Sequence, residues 1–277
     1  MTSRPANLPD FTDPPVNEVV LGVQFGGLER FLAPHLGSVW DLFRDEFDRV
    51  EEHPPLVPTF ETFGQNPRGN VMMSLQVMAT PDLPRIFYLN QDRTKLIQIQ
   101  RDRFIHNWRK VGDSDTYPRF EGILDTFTRR FGRFVSFVTD HDLGRIQPNQ
   151  CEVSYINHIV VPTDDTAFNV ANVLLDGIVP GANLPDLGLP EDGRLLLRYI
   201  IRRDDGSPCG RLIVNSEPAR RADEKRIIQF TLTARGAPSE PTTQAVTDFL
   251  TSGREYIVRS FKALTSSAMH RKWGMTE

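Results

Sequence analysis

The chain has 277 residues, of which 39% are hydrophobic and 25% are charged, which is ordinary for a globular protein in water. Its formal net charge of −4 and pI near 5.9 give no global electrostatic attraction to nucleic acids or anionic membranes. No apolar run approaches the roughly 18 residues of a spanning helix, and the first residues lack the apolar core of a secretory signal, so we expect a cytoplasmic protein without membrane contact.

The first half of the chain predicts an extended arm and then a strand, a helix, three strands and a second helix. The His-Pro-Pro sequence at 53–55 should end the first helix, because proline interrupts helical hydrogen bonding, and residues 56–69 should form a loop. Apolar residues alternate along the strands and form one continuous helical stripe in the last element. The predicted bounds are 1–15 for the arm, 16–25 for the first strand, 32–52 for the first helix, 70–79, 85–90 and 95–100 for the three strands, and 118–141 for the second helix.

The second half repeats this order of elements and ends in a short helical extension. Three segment matches in the same order favour an ancient internal duplication, with repeats at 16–146 and 147–277. The matches place 17–25 over 151–159, 85–90 over 210–215, and 95–100 over 226–231. The predicted bounds are 150–161 for a strand, 164–178 for a helix, 179–193 for a loop, 194–203, 210–215 and 226–233 for three strands, 242–264 for a helix, and 267–274 for the extension.

The two halves together predict an α+β fold. Each half offers strands with one apolar face and a long helix with one apolar stripe, which are stable when the helix covers that face. Two such halves can join their sheets edge to edge, which removes an exposed edge from each. We therefore expect a continuous antiparallel sheet with helices on one face and a polar surface on the other, analogous to TATA-binding-protein-like or helix-grip domains.

Several segments carry a resemblance that covers essentially the whole chain: Pro14–Phe25, Leu96–Lys110, Tyr117–Glu121, Asn149–Ile159 and Arg271–Gly274. Together they resemble a sporadically distributed family of uncharacterised bacterial proteins of about this length. The family has no established activity, so the resemblance transfers no catalytic residue. Its patchy distribution implies one member of a bacterial toxin–antitoxin or defence pair.

Known catalytic motifs are absent from the sequence, which has no GxSxG, P-loop, GxGxxG after a strand, or HExxH. The six histidines are scattered, and Cys151 and Cys209 lack both metal-ligand spacing and an adjacent base. We therefore expect no catalytic residue, no metal and no cofactor.

Two groups of polar residues are candidate binding residues. The first combines arginine with tryptophan, which suits a planar or anionic ligand and also anchors protein interfaces. Mixed Ile and Arg positions predict a bulge or tight bend at Arg101–Asp102. The alternatives are that Trp108 packs the helix entrance, the arginines pair with nearby carboxylates, and the sheet carries a structural hydrogen-bond network. The first group is Arg101, Arg103, Asn107, Trp108, Arg109 and Tyr117, and the second, on the polar sheet face, is Glu18, Gln24, Gln98, Glu152 and His158.

These residues favour a non-enzymatic protein that recognises a partner protein. The alternative is a small-ligand or nucleotide-binding sensor that uses the polar face of the sheet, and a third hypothesis is an enzyme whose site no motif reveals. Nucleic acid is not the expected partner, because acidic neighbours dilute the Arg pairs at 202–203 and 220–221. A deep polar pocket under the helices would favour the ligand, and an exposed patch around Trp108 would favour the partner.

Overall fold

The computed structural model describes residues 7–64, 83–161, 173–174, 186 and 193–276. Within them the chain forms eleven strands and four helices. Their bounds are β1 Asp10–Phe11, β2 Val16–Phe25, α1 Ala33–Phe43, β3 Arg49–His53, β4 Arg85–Leu89, β5 Lys95–Gln100, β6 Arg103–Arg109, α2 Arg119–Asp140, β7 Pro148–Val160, β8 Leu195–Arg202, β9 Pro208–Arg220, β10 Arg226–Gly236, α3 Thr243–Leu264, α4 Ser267–Lys272 and β11 Met275–Thr276.

Nine of these strands form one antiparallel sheet in the order β3-β4-β5-β6-β2-β7-β10-β9-β8. The two halves of the chain meet at its centre, where β2 pairs with β7 and Leu21 lies opposite Val153. Outward from this pair, each half places its last long strand next to its first strand, β6 beside β2 and β10 beside β7. The predicted α+β class and the large antiparallel sheet are confirmed.

Helices α1 and α2 cover one face of the sheet through aromatic residues. Phe104 on β6 lies 6.5 Å from Phe43 on α1, measured between ring centroids. The same ring lies 5.6 to 5.9 Å from three phenylalanines of the predicted α2 stripe, Phe127, Phe131 and Phe134. All of these side chains are fully buried, and each contributes about 1.5–3 kcal/mol by leaving water.

Helix α3 packs on the same face, over β7 and β10. Gly253 makes the approach possible: a Cβ at this position would lie 2.7 Å from Val153 Cγ1 and 3.1 Å from Ala234 Cβ. The predicted N-terminal arm is also fixed in place, because β1 pairs with β11 and the Phe11 ring contacts Phe261 at 5.5 Å. The arm and the C-terminal extension therefore hold each other against α3.

Three expectations need correction. The first helix ends at Phe43 instead of reaching residue 52, because a tight turn brings the buried Phe47 back to Phe43 and residues 49–53 pair with β4 as a strand. The strand predicted at 95–100 and the bend predicted at Arg101–Asp102 are both present, but the residues after the bend form a further strand, β6, which pairs with β5 as a hairpin and was not predicted. The sheet order also shifts two of the segment matches by one strand. About the central β2–β7 pair, β4 stands at the position equivalent to β8, and β5 at the position equivalent to β9. The sequence matches had instead placed 85–90 over a segment of β9 and 95–100 over a segment of β10.

Most other predicted elements agree with the structure within a few residues, although β9 and β10 extend further than expected. The predicted strand 70–79 and nearly all of the predicted helix 164–178 lie outside the described residues.

Candidate functional site

Residues 54–64 cross the face of the sheet opposite the helices, and we call this segment the strap. It has no regular secondary structure, so its backbone groups need partners outside the segment. Side chains of the sheet supply them. The Gln100 amide accepts from Leu56 N at 2.8 Å and donates to Leu56 O at 2.9 Å, as a neighbouring strand would.

The strap continues over the central strands. Arg103 Nη2 donates to Val57 O at 3.2 Å, and Thr59 N donates to Gln24 Oε1 at 3.0 Å. Gln24 Oε1 also accepts from Arg103 Nη2 at 3.1 Å, which ties β2, β6 and the strap together. The strap thus lies across the centre of the open sheet face.

A buried carboxylate fixes the far end of the strap. Glu61, whose side chain is 7% exposed, accepts from Arg211 Nη1 at 2.7 Å and from Arg235 Nε at 2.8 Å. Arg211 also donates to Thr62 O at 2.8 Å, and its guanidinium lies 4.9 Å from the centre of the Phe63 ring. These contacts attach the strap to β9 and β10, in the other half of the sheet.

A cavity of about 230 Å³ lies between the strap and the sheet. Its floor is Gly22 on β2, which pairs with Ile105 on β6 and with Glu152 on β7. A Cβ at Gly22 would lie 3.5 Å from Ile105 Cγ1 and 3.9 Å from Glu152 Cβ, so packing does not require glycine here. Glycine inside a strand weakens it and often marks close approach of a ligand or another backbone. The missing side chain leaves the depression that becomes the cavity.

The polar groups around the floor stand in two rows of the pairing register. Arg103, Gln24 and Gln150 form one row across β6, β2 and β7, and Glu152 and Arg235 belong to the next. The apolar lining comes mainly from Val20, Ile105, Leu56 and Val57. The cavity therefore combines charged, amide and apolar surfaces within a small volume.

Two polar atoms of the cavity, Gln150 Oε1 and Arg103 Nη1, have no hydrogen-bond partner in the described part of the chain. Gln150 is 7% exposed, and its Oε1 is buried without a hydrogen bond. Arg103 donates through Nε and Nη2, while its Nη1 makes no hydrogen bond within the same residues. An unpaired buried carbonyl oxygen costs about 1–3 kcal/mol, so Gln150 is positioned to accept from a bound molecule.

Glu18 and Gln98 belong to a separate network on the same face. Arg85 Nη1 donates to Gln98 Oε1 at 3.1 Å, Gln98 Nε2 to Asn107 Oδ1 at 2.9 Å, and Asn107 Nδ2 to Glu18 Oε1 at 2.6 Å. Burial raises the pKa of Glu18, although Asn107 and the Arg109 guanidinium oppose the shift. Arg109 Nε also donates to Arg93 O at 2.7 Å. These hydrogen bonds link four neighbouring strands, β4, β5, β6 and β2.

Trp108 and Tyr117 lie on the helix side of the sheet. Trp108 is 4% exposed, and its ring centroid lies 5.4 Å from that of Tyr117. The Tyr117 and Tyr155 hydroxyls are 3.0 Å apart, and burial raises the pKa of both. This placement contradicts the expectation that Trp108 faces a partner or ligand, because the hairpin turn directs it into the core.

Arg101 and His158 lie apart from the cavity. Arg101 occupies the β5–β6 turn, where its carbonyl accepts from Leu28 N at 3.1 Å. His158 lies beside the N-terminal arm, and its backbone N–H donates to the backbone carbonyl of Pro15 at 2.9 Å. It stands six residues from Glu152 on β7, about 20 Å along the strand.

The sequence interpretation placed Gln24 and Glu152 correctly on one face, but it put Arg103 on the face opposite Gln98, and the structure puts both on the same face. It also missed Gly22, Gln150, Arg235 and the whole strap. A glycine inside the alternating strand 16–25 was the available signal. The cavity also lies opposite the helices and not beneath them.

No family model matches the chain, and no curated protein matches it in sequence. The resemblance to bacterial proteins therefore stays a prediction. No helix of the described residues is long and apolar enough to cross a membrane. Within the same ranges no group of three or more His, Cys, Asp or Glu residues is placed to hold a metal ion.

Proposed function

We propose that this protein binds a small polar ligand in the cavity between the strap and the open sheet face. The observation that carries the proposal is the buried, unpaired Gln150 Oε1 beside a floor that Gly22 leaves empty. The cavity volume of about 230 Å³ is below the roughly 300–1,000 Å³ typical of drug-sized ligands, so the ligand is smaller than a nucleotide.

The role is binding, without catalysis. The thiol of Cys151 lies on the helix side of the sheet, opposite the core residue Val23, and not in the cavity. Burial raises the pKa of Cys151 to about 12, so it stays protonated near neutral pH. The strap serves as a preformed roof, since the Gln100, Arg103 and Glu61 contacts hold it over the floor before a ligand arrives. Preorganisation of this kind lowers the entropic cost of binding.

The test is to fill the floor. Gly22→Leu should occupy the cavity, whereas Thr231→Leu places the same side chain on the same face but outside the cavity lining. A library of small polar metabolites is screened by thermal shift and confirmed by isothermal titration calorimetry. Compounds that bind the wild type and Thr231→Leu should not bind Gly22→Leu. A library without any binder, or binders unaffected by Gly22→Leu, contradicts the proposal.

A second candidate is recognition of a partner protein, placed at β8 instead of Trp108. Leu196 and Ile200 are 55% and 47% exposed, and β8 is the last strand in the described sheet order. Such an edge can accept an added strand from a partner. A partner that co-purifies from native cell extract with the wild type, but not with Leu196→Lys/Ile200→Lys, supports this candidate. A partner that the double variant retains contradicts it.

For the fold, we propose that residues 16–146 and 147–277 descend from one duplicated unit of TATA-binding-protein-like or helix-grip type. The mirrored strand order about the β2–β7 pair supports this. An experimental structure in which β2, β6, β5, β4 and α2 do not superpose on β7, β10, β9, β8 and α3 contradicts it.

A further inference from the structure

We infer that the ligand is a small zwitterion, an α-amino acid with a short apolar side chain, held by its ammonium group on β7 and by its carboxylate on β6. The inference rests on the proposed function and names the chemistry of the same cavity. Its basis is that the cavity has an unpaired acceptor, Gln150 Oε1, beside the Glu152 carboxylate on β7, and a guanidinium with a free Nη1, Arg103, on β6.

The acceptor side is formed by Gln150 and Glu152. They are two residues apart on β7, so both side chains face the cavity, about 6.6 Å from each other along the strand. Gln150 Oε1 has no donor in the described part of the chain. The Glu152 carboxylate has only long contacts, at 3.2 Å from Ser154 Oγ and 3.3 Å from Arg235 Nη1. An ammonium group, with three N–H donors and a positive charge, satisfies both acceptors at once.

Arg235 divides its contacts between two carboxylates, Glu61 and Glu152. Its guanidinium contacts Glu61 at 2.8 Å, closer than its 3.3 Å contact with Glu152. Glu61 in turn also binds Arg211 at 2.7 Å, so the strap carboxylate is shared between two arginines. The Glu152 carboxylate therefore keeps lone pairs for a cationic ligand group.

The donor side is Arg103. It lies on β6, two strands from β7, so the two backbones are about 10 Å apart across the β2 floor. The Arg103 side chain is 11% exposed, and its contacts with Asp102 are long, at 3.3 and 3.5 Å. A guanidinium in such a partly dehydrated position binds a carboxylate strongly, and its Nη1 has no other acceptor within the described residues.

Gln24 lies between Arg103 and Gln150 in the pairing register, and the cavity surface beside this row, around Gly22, is apolar. Val20 and Ile105 flank Gly22 on the sheet, and Leu56 faces them from the strap. These surfaces suit a short aliphatic side chain, while the volume of about 230 Å³ excludes a nucleotide. A simple amine or a simple carboxylate would satisfy one side of the cavity and leave the other unpaired.

The experiment uses the full chain and isothermal titration calorimetry. The probes are the standard L-α-amino acids, then the N-acetyl derivative and the decarboxylated amine of the tightest binder, with free nucleobases as a different class. Each blocked derivative should bind about tenfold or more weakly, because it loses a charge-assisted hydrogen bond. Glu152→Gln should weaken binding of the amino acid by a similar factor and leave the affinity for the N-acetyl derivative unchanged. Thr231→Leu should bind all the probes like the wild type.

The outcomes separate the ligand class from the site. Amino acid binding that requires both charged groups and is lost in Gly22→Leu supports the inference. If no amino acid binds, but a nucleobase or another library compound binds the wild type and not Gly22→Leu, the inference of a zwitterionic ligand is contradicted and the proposed binding function of the cavity stands. If no probe or library compound binds the wild type, or if Gly22→Leu leaves binding intact, both the inference and the proposed function are contradicted.

Discussion

The ion pairs of Glu61 give the strap its strongest predicted attachment to the sheet. Replacing Glu61 by Gln keeps the size of the side chain and removes its charge. Arg211 and Arg235, whose side chains are 23% and 25% exposed, then lose their shared carboxylate. Breaking a fully buried pair costs about 3–5 kcal/mol, and an exposed pair contributes about 0–1 kcal/mol. With Glu61 itself 7% exposed, we expect an intermediate loss of about 2 kcal/mol in strap stability.

Hydrogen exchange measured by mass spectrometry checks this prediction. A peptide that covers residues 54–64 should exchange about 30-fold faster in Glu61→Gln, as 2 kcal/mol implies, while peptides from α2 should be unchanged. Glu240→Gln is the matched control, because Glu240 is exposed and makes no side-chain ion pair in the described part of the chain. Equal exchange of the strap in both variants would refute the assigned role of Glu61.

Three further predictions concern the core. Gly253→Ala should lower the free energy of unfolding by about 1–3 kcal/mol in urea titrations, because its Cβ would lie 2.7 Å from Val153 Cγ1. Trp108→Ala should lower it by about 3–5 kcal/mol, and a normal melting temperature would contradict its burial. Burial, reinforced by the nearby Arg130 charge, lowers the pKa of His106 from 6.5 to about 3. Between these two pH values the His106 imidazole is protonated in the unfolded chain but not in the folded one. The free energy of unfolding should therefore fall by up to about 1.4 kcal/mol per pH unit as the pH drops from 6.5 toward 3. His106→Gln should make this pH dependence shallower.

The long helices and most strands could be predicted because their signals are local. The α2 and α3 stripes each repeat over 22 residues, and strand alternation is visible within a few residues. The end of α1 was missed because the buried Phe47 continues the helical spacing through a turn. The Arg101–Asp102 turn contains neither Gly nor Asn, so the hairpin lacked its usual sequence signal.

The candidate site was harder to predict because its contacts join distant parts of the chain. Glu61 and Arg211 are 150 residues apart, and no local pattern pairs them. Counting along one continuous strand would put Trp108 on the face of Gln98 and Gln100. The two-residue turn reverses that assignment, which puts Trp108 in the core and Arg103 on the open face.

Nuclear magnetic resonance of the isotope-labelled protein tests the cavity most directly. We predict that adding the tightest-binding compound shifts the Gln150 side-chain amide and the backbone amides of Gly22, Ile105 and Thr59, which surround the cavity. Shifts confined to β8, or to residues around Tyr117 on the opposite side of the sheet, would contradict binding beneath the strap.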